Sequence, residues 1–143
     1  MSDSEENKKI ALEYIRRFST GDIAYAHELL ADDIEWWVLG DLPFSGVITK
    51  PVFRKNNEML AGLFKSFPQW IADSAIAEGD KVAVICHSVG DTKGGFEYRN
   101  KYQILFTVRD GLIVHAEEYM DTKHCYDLLA AIEAEAALVG SQG

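Results

Sequence analysis

Apolar residues in the opening segment SEENKKIALEYIRRF recur at helical spacing, with Ile10, Tyr14 and Phe18 on one stripe and Ile15 beside it. That stripe predicts a first helix. Gly21 ends it, Asp22 is placed to cap the next, and Ile23, Ala26, Leu29 and Leu30 supply the buried face of a short second helix. IEWWVL, β-branched and aromatic, predicts a strand, and GDLPFSG after it combines loop-forming residues. Helical spacing returns in TKPVFRKNNEMLAGLFKSF. Thr49 takes the N-cap position, Pro51 lies in the first turn, and Phe53, Leu60, Leu63, Phe64 and Phe67 are the apolar positions of a helix ending before Pro68.

Past that proline the period changes. Two β-rich stretches, residues 69–91 and 96–121, are punctuated by EGD, DTKGG and RDG, pairings that favour hairpins. They predict four sequential antiparallel strands. TKHCYDLLAAIEAEAALVG then resumes helical spacing and stops at Gly140. Helices first and a meander second describe one α+β domain over residues 1–143, a curved sheet wrapped over helices, with 1–7 and 140–143 as frayed ends.

Composition narrows the function classes. A 143-residue chain with 48% hydrophobic residues can bury a core without disulfides or a structural metal. The net charge of −9 offers no general attraction for nucleic acid or an anionic membrane surface. No apolar run approaches the roughly 20 residues that span a bilayer. The polar, acidic start lacks the form of a secretory signal, and Cys86 and Cys125 belong to no metal-type cluster, so the expected location is cytoplasmic with reduced thiols. The four histidines show no ligand spacing, and a metal site is not expected. No Ser-His-Asp order, nucleophile elbow or phosphate-binding glycine loop occurs, so covalent and nucleotide-dependent mechanisms drop out and no cofactor is called for.

Acid/base chemistry concentrates in VHAEEYMDTKH, residues 114–124. Strand alternation puts Ala116, Glu118 and Met120 on one face and His115, Glu117 and Tyr119 on the other. Between alanine and methionine walls, desolvation would raise the Glu118 pKa into the range of a general acid or base; the competing reading is a solvated glutamate at a strand end. Asp121 precedes the last helix as an N-cap would, a role compatible with a place at a pocket mouth. Asn100 and Tyr102 alternate with Ile104 and Phe106, so they either bind a ligand oxygen or are satisfied within the fold. His87 could carry a proton if it faces inward, which the pattern VAVICHSVG leaves open. Trp36, Phe53 and Trp70 are candidates for core or pocket wall, and as aromatics they suit a flat apolar ligand.

The order of elements, with YIRRFSTGDIAYAHELLADDIEW, PFSG and VRDGLIVHAEEYMD, resembles the SnoaL-like branch of the nuclear transport factor 2-like superfamily from about Lys8 to Leu138. The resemblance implies a cone-shaped, strongly bent sheet that encloses one apolar pocket with its helices, and homodimers formed through the sheet. It includes ketosteroid isomerases, limonene-epoxide-hydrolase-like enzymes, polyketide cyclases and noncatalytic binding proteins. Tyr14 matches the isomerase tyrosine that donates to the developing enolate. The isomerase's two aspartates correspond to Val38 and Ile104, both apolar here. Glu118 matches one water-activating acid of the epoxide hydrolases, whose arginine and second acid would fall near His87, and His115 and Asp121 correspond to the cyclase pair. Trp36, Val38, Ala116 and Met120 are implied as pocket wall.

Together these readings describe a cofactor-independent enzyme transferring protons on a small hydrophobic cyclic or carbonyl molecule. Glu118 is its acid/base group, with Tyr14, Asn100, Tyr102 and His87 in support and Asp121 in reserve. The alternative is a noncatalytic ligand-binding or protein-interaction module of the same fold.

Overall fold

The computed structural model describes residues 3–142. Four helices and seven strands follow in the order α1 (Ser4–Ser19), α2 (Ile23–His27), β1 (Leu30–Val38), β2 (Gly46–Thr49), α3 (Lys50–Ala61), β3 (Gln69–Glu78), β4 (Lys81–Asp91), β5 (Glu97–Tyr98), β6 (Lys101–Arg109), β7 (Leu112–Met120) and α4 (Thr122–Gln142). The sheet runs β2-β1-β7-β6-β4-β3, with β5 added to β4. It is antiparallel except at β1 and β7, which pair in parallel. This mixed, curled sheet over helices is the α+β cone expected.

The first helix forms as its stripe predicts. Tyr14, Ile15 and Phe18 are buried against the concave face, where the Tyr14 ring meets Trp36 at 5.7 Å and Phe106 at 6.0 Å. The Asp22 side chain accepts from Tyr25 N at 3.0 Å and caps α2 as expected. In the hairpin joining β6 to β7, Asp110 and Gly111 both have positive φ, 51° and 79°, the requirement of a tight turn whose twist matches the strands. No described helix is long and apolar enough to cross a membrane.

Several boundaries move. The first helix begins at Ser4 and buries Asn7, whose Nδ2 donates to Gly79 O at 3.1 Å, so residues 4–7 belong to the fold. The last helix continues through Gly140 to Gln142, while residues 1, 2 and 143 lie outside the described part. Leu30 is the start of β1 rather than part of the second helix. Val47 and Ile48, which lie between the predicted loop and the third helix, form β2 because β1 offers them an open edge. The third helix stops at Ala61, and Phe64 instead bridges Thr92. Four long strands do follow, with the two-residue β5 inserted among them.

Candidate active site

A cavity of about 700 Å³ lies between the concave face of the sheet and the helices. Its size is in the range of small-molecule pockets. The wall is mostly apolar and aromatic, contains no lysine, arginine or histidine among the described residues, and carries one carboxyl group, Glu118.

Register explains how Glu118 comes to be there. Its Cα pairs with Val38 on the parallel neighbour and with Ile104 on the antiparallel one, so both flanks are apolar. Trp36, two residues before Val38 and on the same face, donates its indole Nε1–H to Glu118 Oε1 at 2.9 Å. The other carboxyl oxygen has no partner among the described residues. Glu118 is half-buried by surface area, and what it touches is the cavity. Burial pushes its pKa from 4.5 up to about 7, partly opposed by the Trp36 hydrogen bond, which favours the carboxylate. A carboxyl group held there can both take and return a proton near neutrality.

Tyr14 faces the same cavity with 3% of its surface exposed, and its hydroxyl has no hydrogen-bond partner among the described residues. Burial raises its pKa well above the usual value, and the nearby Glu118 charge adds to this. It therefore stays a neutral donor, open to an oxygen on a bound molecule. Tyr102 also lines the cavity, two residues from Ile104 on the same strand face. Its hydroxyl lies 2.5 Å from that of Tyr98, which accepts from Asn100 Nδ2 at 3.0 Å. Asn100 thereby supports a tyrosine pair on the wall.

Trp36, Val38 and Met120 line the cavity as expected. Four other expectations need correction. Asn100 is not on the cavity wall: its Oδ1 accepts from Lys101 N and Asp121 N, and its Nδ2 donates to Asp121 O, so its polar atoms are used in tying β6 to the start of α4. Ala116 is fully buried in the core and does not reach the cavity. His87 points to the convex side, because Cys86 and Ser88 are the inward residues of β4; its Nδ1 meets Asp73 Oδ2 at 2.9 Å. Asp121 takes the capping role, accepting from Lys123 N at 3.0 Å, and lines no part of the cavity.

Sequence reasoning missed Tyr98, Cys125 and Asn57 on the wall, along with Leu128 and Ile132 from α4. For Cys125 a signal existed, as it falls on the same helical face as Leu128 and Ile132. Asn57 gave none, being one polar residue among several in KNNE.

The chain can be compared with known proteins on this basis. PrhC from Penicillium brasilianum NBRC 6234 superposes with a TM-score of 0.86 at 18% identity, over 95% of this chain and 93% of its own. BvnE pinacolase from Penicillium brevicompactum gives 0.80 at 15%, covering 92% and 97%. IdmH from Streptomyces antibioticus, described as a candidate polyketide cyclase, gives 0.72 at 19%, covering 87% and 98%. At these identities the likeness is one of fold. No curated protein sequence matches significantly. The sequence profile of the SnoaL-like domain matches residues 11–116, from α1 to the middle of β7 and ending two residues before Glu118. By that match and by its fold, the chain belongs to the SnoaL-like domain family of the nuclear transport factor 2-like superfamily.

Proposed function

We propose that the chain is a cofactor-independent enzyme that moves a proton on a neutral, hydrophobic, cyclic or carbonyl-bearing molecule. The observation that carries this reading is Glu118, the one carboxyl group on the described wall of an apolar cavity, with a pKa near 7 and one oxygen free. As carboxylate it removes a proton from carbon next to a carbonyl, while the Trp36 hydrogen bond keeps the other oxygen in place. Negative charge then grows on the carbonyl oxygen, where the Tyr14 hydroxyl donates to it. Returning the proton at another carbon isomerises the substrate; where the enolate carbon instead attacks a second carbonyl of the same molecule, a carbon–carbon bond closes the ring and Glu118 gives its proton to the oxygen of the carbonyl attacked. Absence of a cation from the described wall favours neutral over anionic substrates. Hydrolysis by a carboxylate-arginine-carboxylate set is disfavoured, because the wall holds neither an arginine nor a second acid among the described residues. The pinacolase and the candidate cyclase among the structural neighbours agree with chemistry of this type on this fold.

The test is hydrogen exchange. A panel of cyclic ketones incubated with the protein in deuterated water and followed by NMR should show accelerated exchange next to the carbonyl, increasing as pH rises through about 7. Glu118→Gln should abolish the acceleration with the fold intact, and Tyr14→Phe should slow it by a factor on the order of 100. Ketones that bind but exchange at the buffer rate would refute the proposal. A homodimer formed through the convex face of the sheet is also proposed, on the exposure there of Ile71, Val89 and Tyr119.

A further inference from the structure

Asn57 lines the cavity from α3, one turn beyond Phe53, with 6% of its surface exposed. Its Nδ2 lies 3.2 Å from Nε2 of His27, which is 2% exposed. Two nitrogens meet here, and an amide nitrogen cannot accept. In this arrangement Asn57 Nδ2 donates to the lone pair of His27 Nε2 and the imidazole proton sits on Nδ1, which is buried without a partner among the described residues. Burial pulls the His27 pKa down to about 4, with the positive charges of Arg54 and Lys50 adding, so the ring is neutral near pH 7 and keeps that lone pair.

With the nitrogen end turned to His27, the oxygen end of the amide faces the cavity. Asn57 Oδ1 has no partner among the described residues, yet it is not one of the sealed, unpartnered polar atoms. It opens to the cavity its residue lines. The His27 ring is stacked on Phe53 at 5.5 Å and 22°, and Phe53 on Trp36 at 4.3 Å and 21°. The indole that holds Glu118 and the imidazole that holds Asn57 thus belong to one aromatic ladder, with the amide about one helical turn along α3 from its middle ring.

We propose that Asn57 is a specificity-determining residue whose carbonyl oxygen, aimed by His27, accepts a hydrogen bond from a substrate hydroxyl, so that the cavity selects neutral cyclic hydroxy-ketones. The assignment of the ketone end rests on the Glu118 and Tyr14 reading above; the assignment of the hydroxyl end does not. Glu118 is committed to moving the proton and Tyr14 donates to the carbonyl oxygen, so Asn57 supplies a separate acceptor for a second polar group on the substrate.

The experiment compares binding of tetralone, its ring-hydroxylated isomers and the matching methoxy compounds by calorimetry, to the wild-type protein, Asn57→Leu and His27→Phe. At least one hydroxy isomer should bind the wild type roughly fivefold or more tightly than tetralone, the gain of one hydrogen bond. Its methoxy counterpart should not, and the advantage should vanish in Asn57→Leu and shrink in His27→Phe, which keeps a ring on Phe53 but loses the acceptor. The proposal is overturned if no hydroxy isomer is preferred by the wild type, a measurement that needs no variant to fold. It is overturned equally if methoxy compounds gain as much, or if the preference survives in Asn57→Leu. Glu118→Gln should retain the hydroxyl preference, so a failure of the exchange chemistry and a failure of the Asn57 proposal remain separate results.

Discussion

Glu118 is costly where it stands. Its carboxyl group binds a proton more tightly in the folded chain than at the ordinary value of 4.5, so between pH 4.5 and about 7 the folded state holds more protons than the unfolded one. Its contribution to stability is therefore greatest below that window, declines as pH rises through it, and levels off above. His27 works in the opposite sense, losing stability as pH falls from 6.5 towards about 4. Above pH 7 His27 is neutral in both states and the Glu118 cost stands alone. Glu118→Gln should then be more stable than wild type by up to about 3 kcal/mol above pH 7, with the difference closing towards pH 4.5. Denaturant titrations at several pH values check this, and a difference independent of pH would contradict the burial of the group. A destabilising carboxyl group in an apolar cavity is the cost that the proposed acid/base role of Glu118 entails.

At the scale of elements, the joint between β6, β7 and α4 sets where α4 meets the cavity wall. Asn100 holds it through hydrogen bonds to the backbone of Lys101 and Asp121, and Asp121 in turn caps α4, which brings Leu128 and Ile132 to the wall. Asn100→Ala would strand several buried polar groups and should cost about 3 kcal/mol, read as a fall of roughly 6–10 °C in Tm. A substrate-contacting asparagine would show the reverse, weaker turnover with an unchanged Tm. Strand alternation was reliable for Glu118 because the segment from Ala116 to Met120 lies beyond the register shift between Thr107 and Val108. Counted across that shift it fails: Ile113 and Ala116 are both buried although three residues apart. The same alternation put Asn100 on the inward face with Tyr102, where it is buried, but its polar atoms are taken up by Tyr98, Lys101 and Asp121 rather than left for a ligand.

For the whole molecule, the convex side of the sheet is the surface in need of explanation. Trp37 packs on Tyr119 at 5.3 Å there, and Ile71, Val89 and Tyr119 are exposed. A dimer through this face would cover them. Sedimentation should give twice the chain mass, and Tyr119→Glu should give a monomer that keeps an intact cavity, because Tyr119 points away from it. A monomeric wild type would refute the pairing.

Periodicity, turn residues and hairpin signals by themselves determined the order of helices and long strands, because these are local preferences written within a few residues. They also determined that Glu118 shares a face with Met120, and that Asp121 caps a helix. Tertiary structure decided the rest. β2 exists only because β1 presents an edge, β1 and β7 are parallel only because the sheet curls back on its first strand, and His87 faces outward because Cys86 and Ser88 face in. Whether Glu118 meets water or a cavity, whether Asn100 is a ligand contact or a joint, and that Asn57 meets His27 all depend on residues distant in sequence. Long-range packing sets the desolvation and the partners from which a side chain acquires its chemistry, and no local pattern records them.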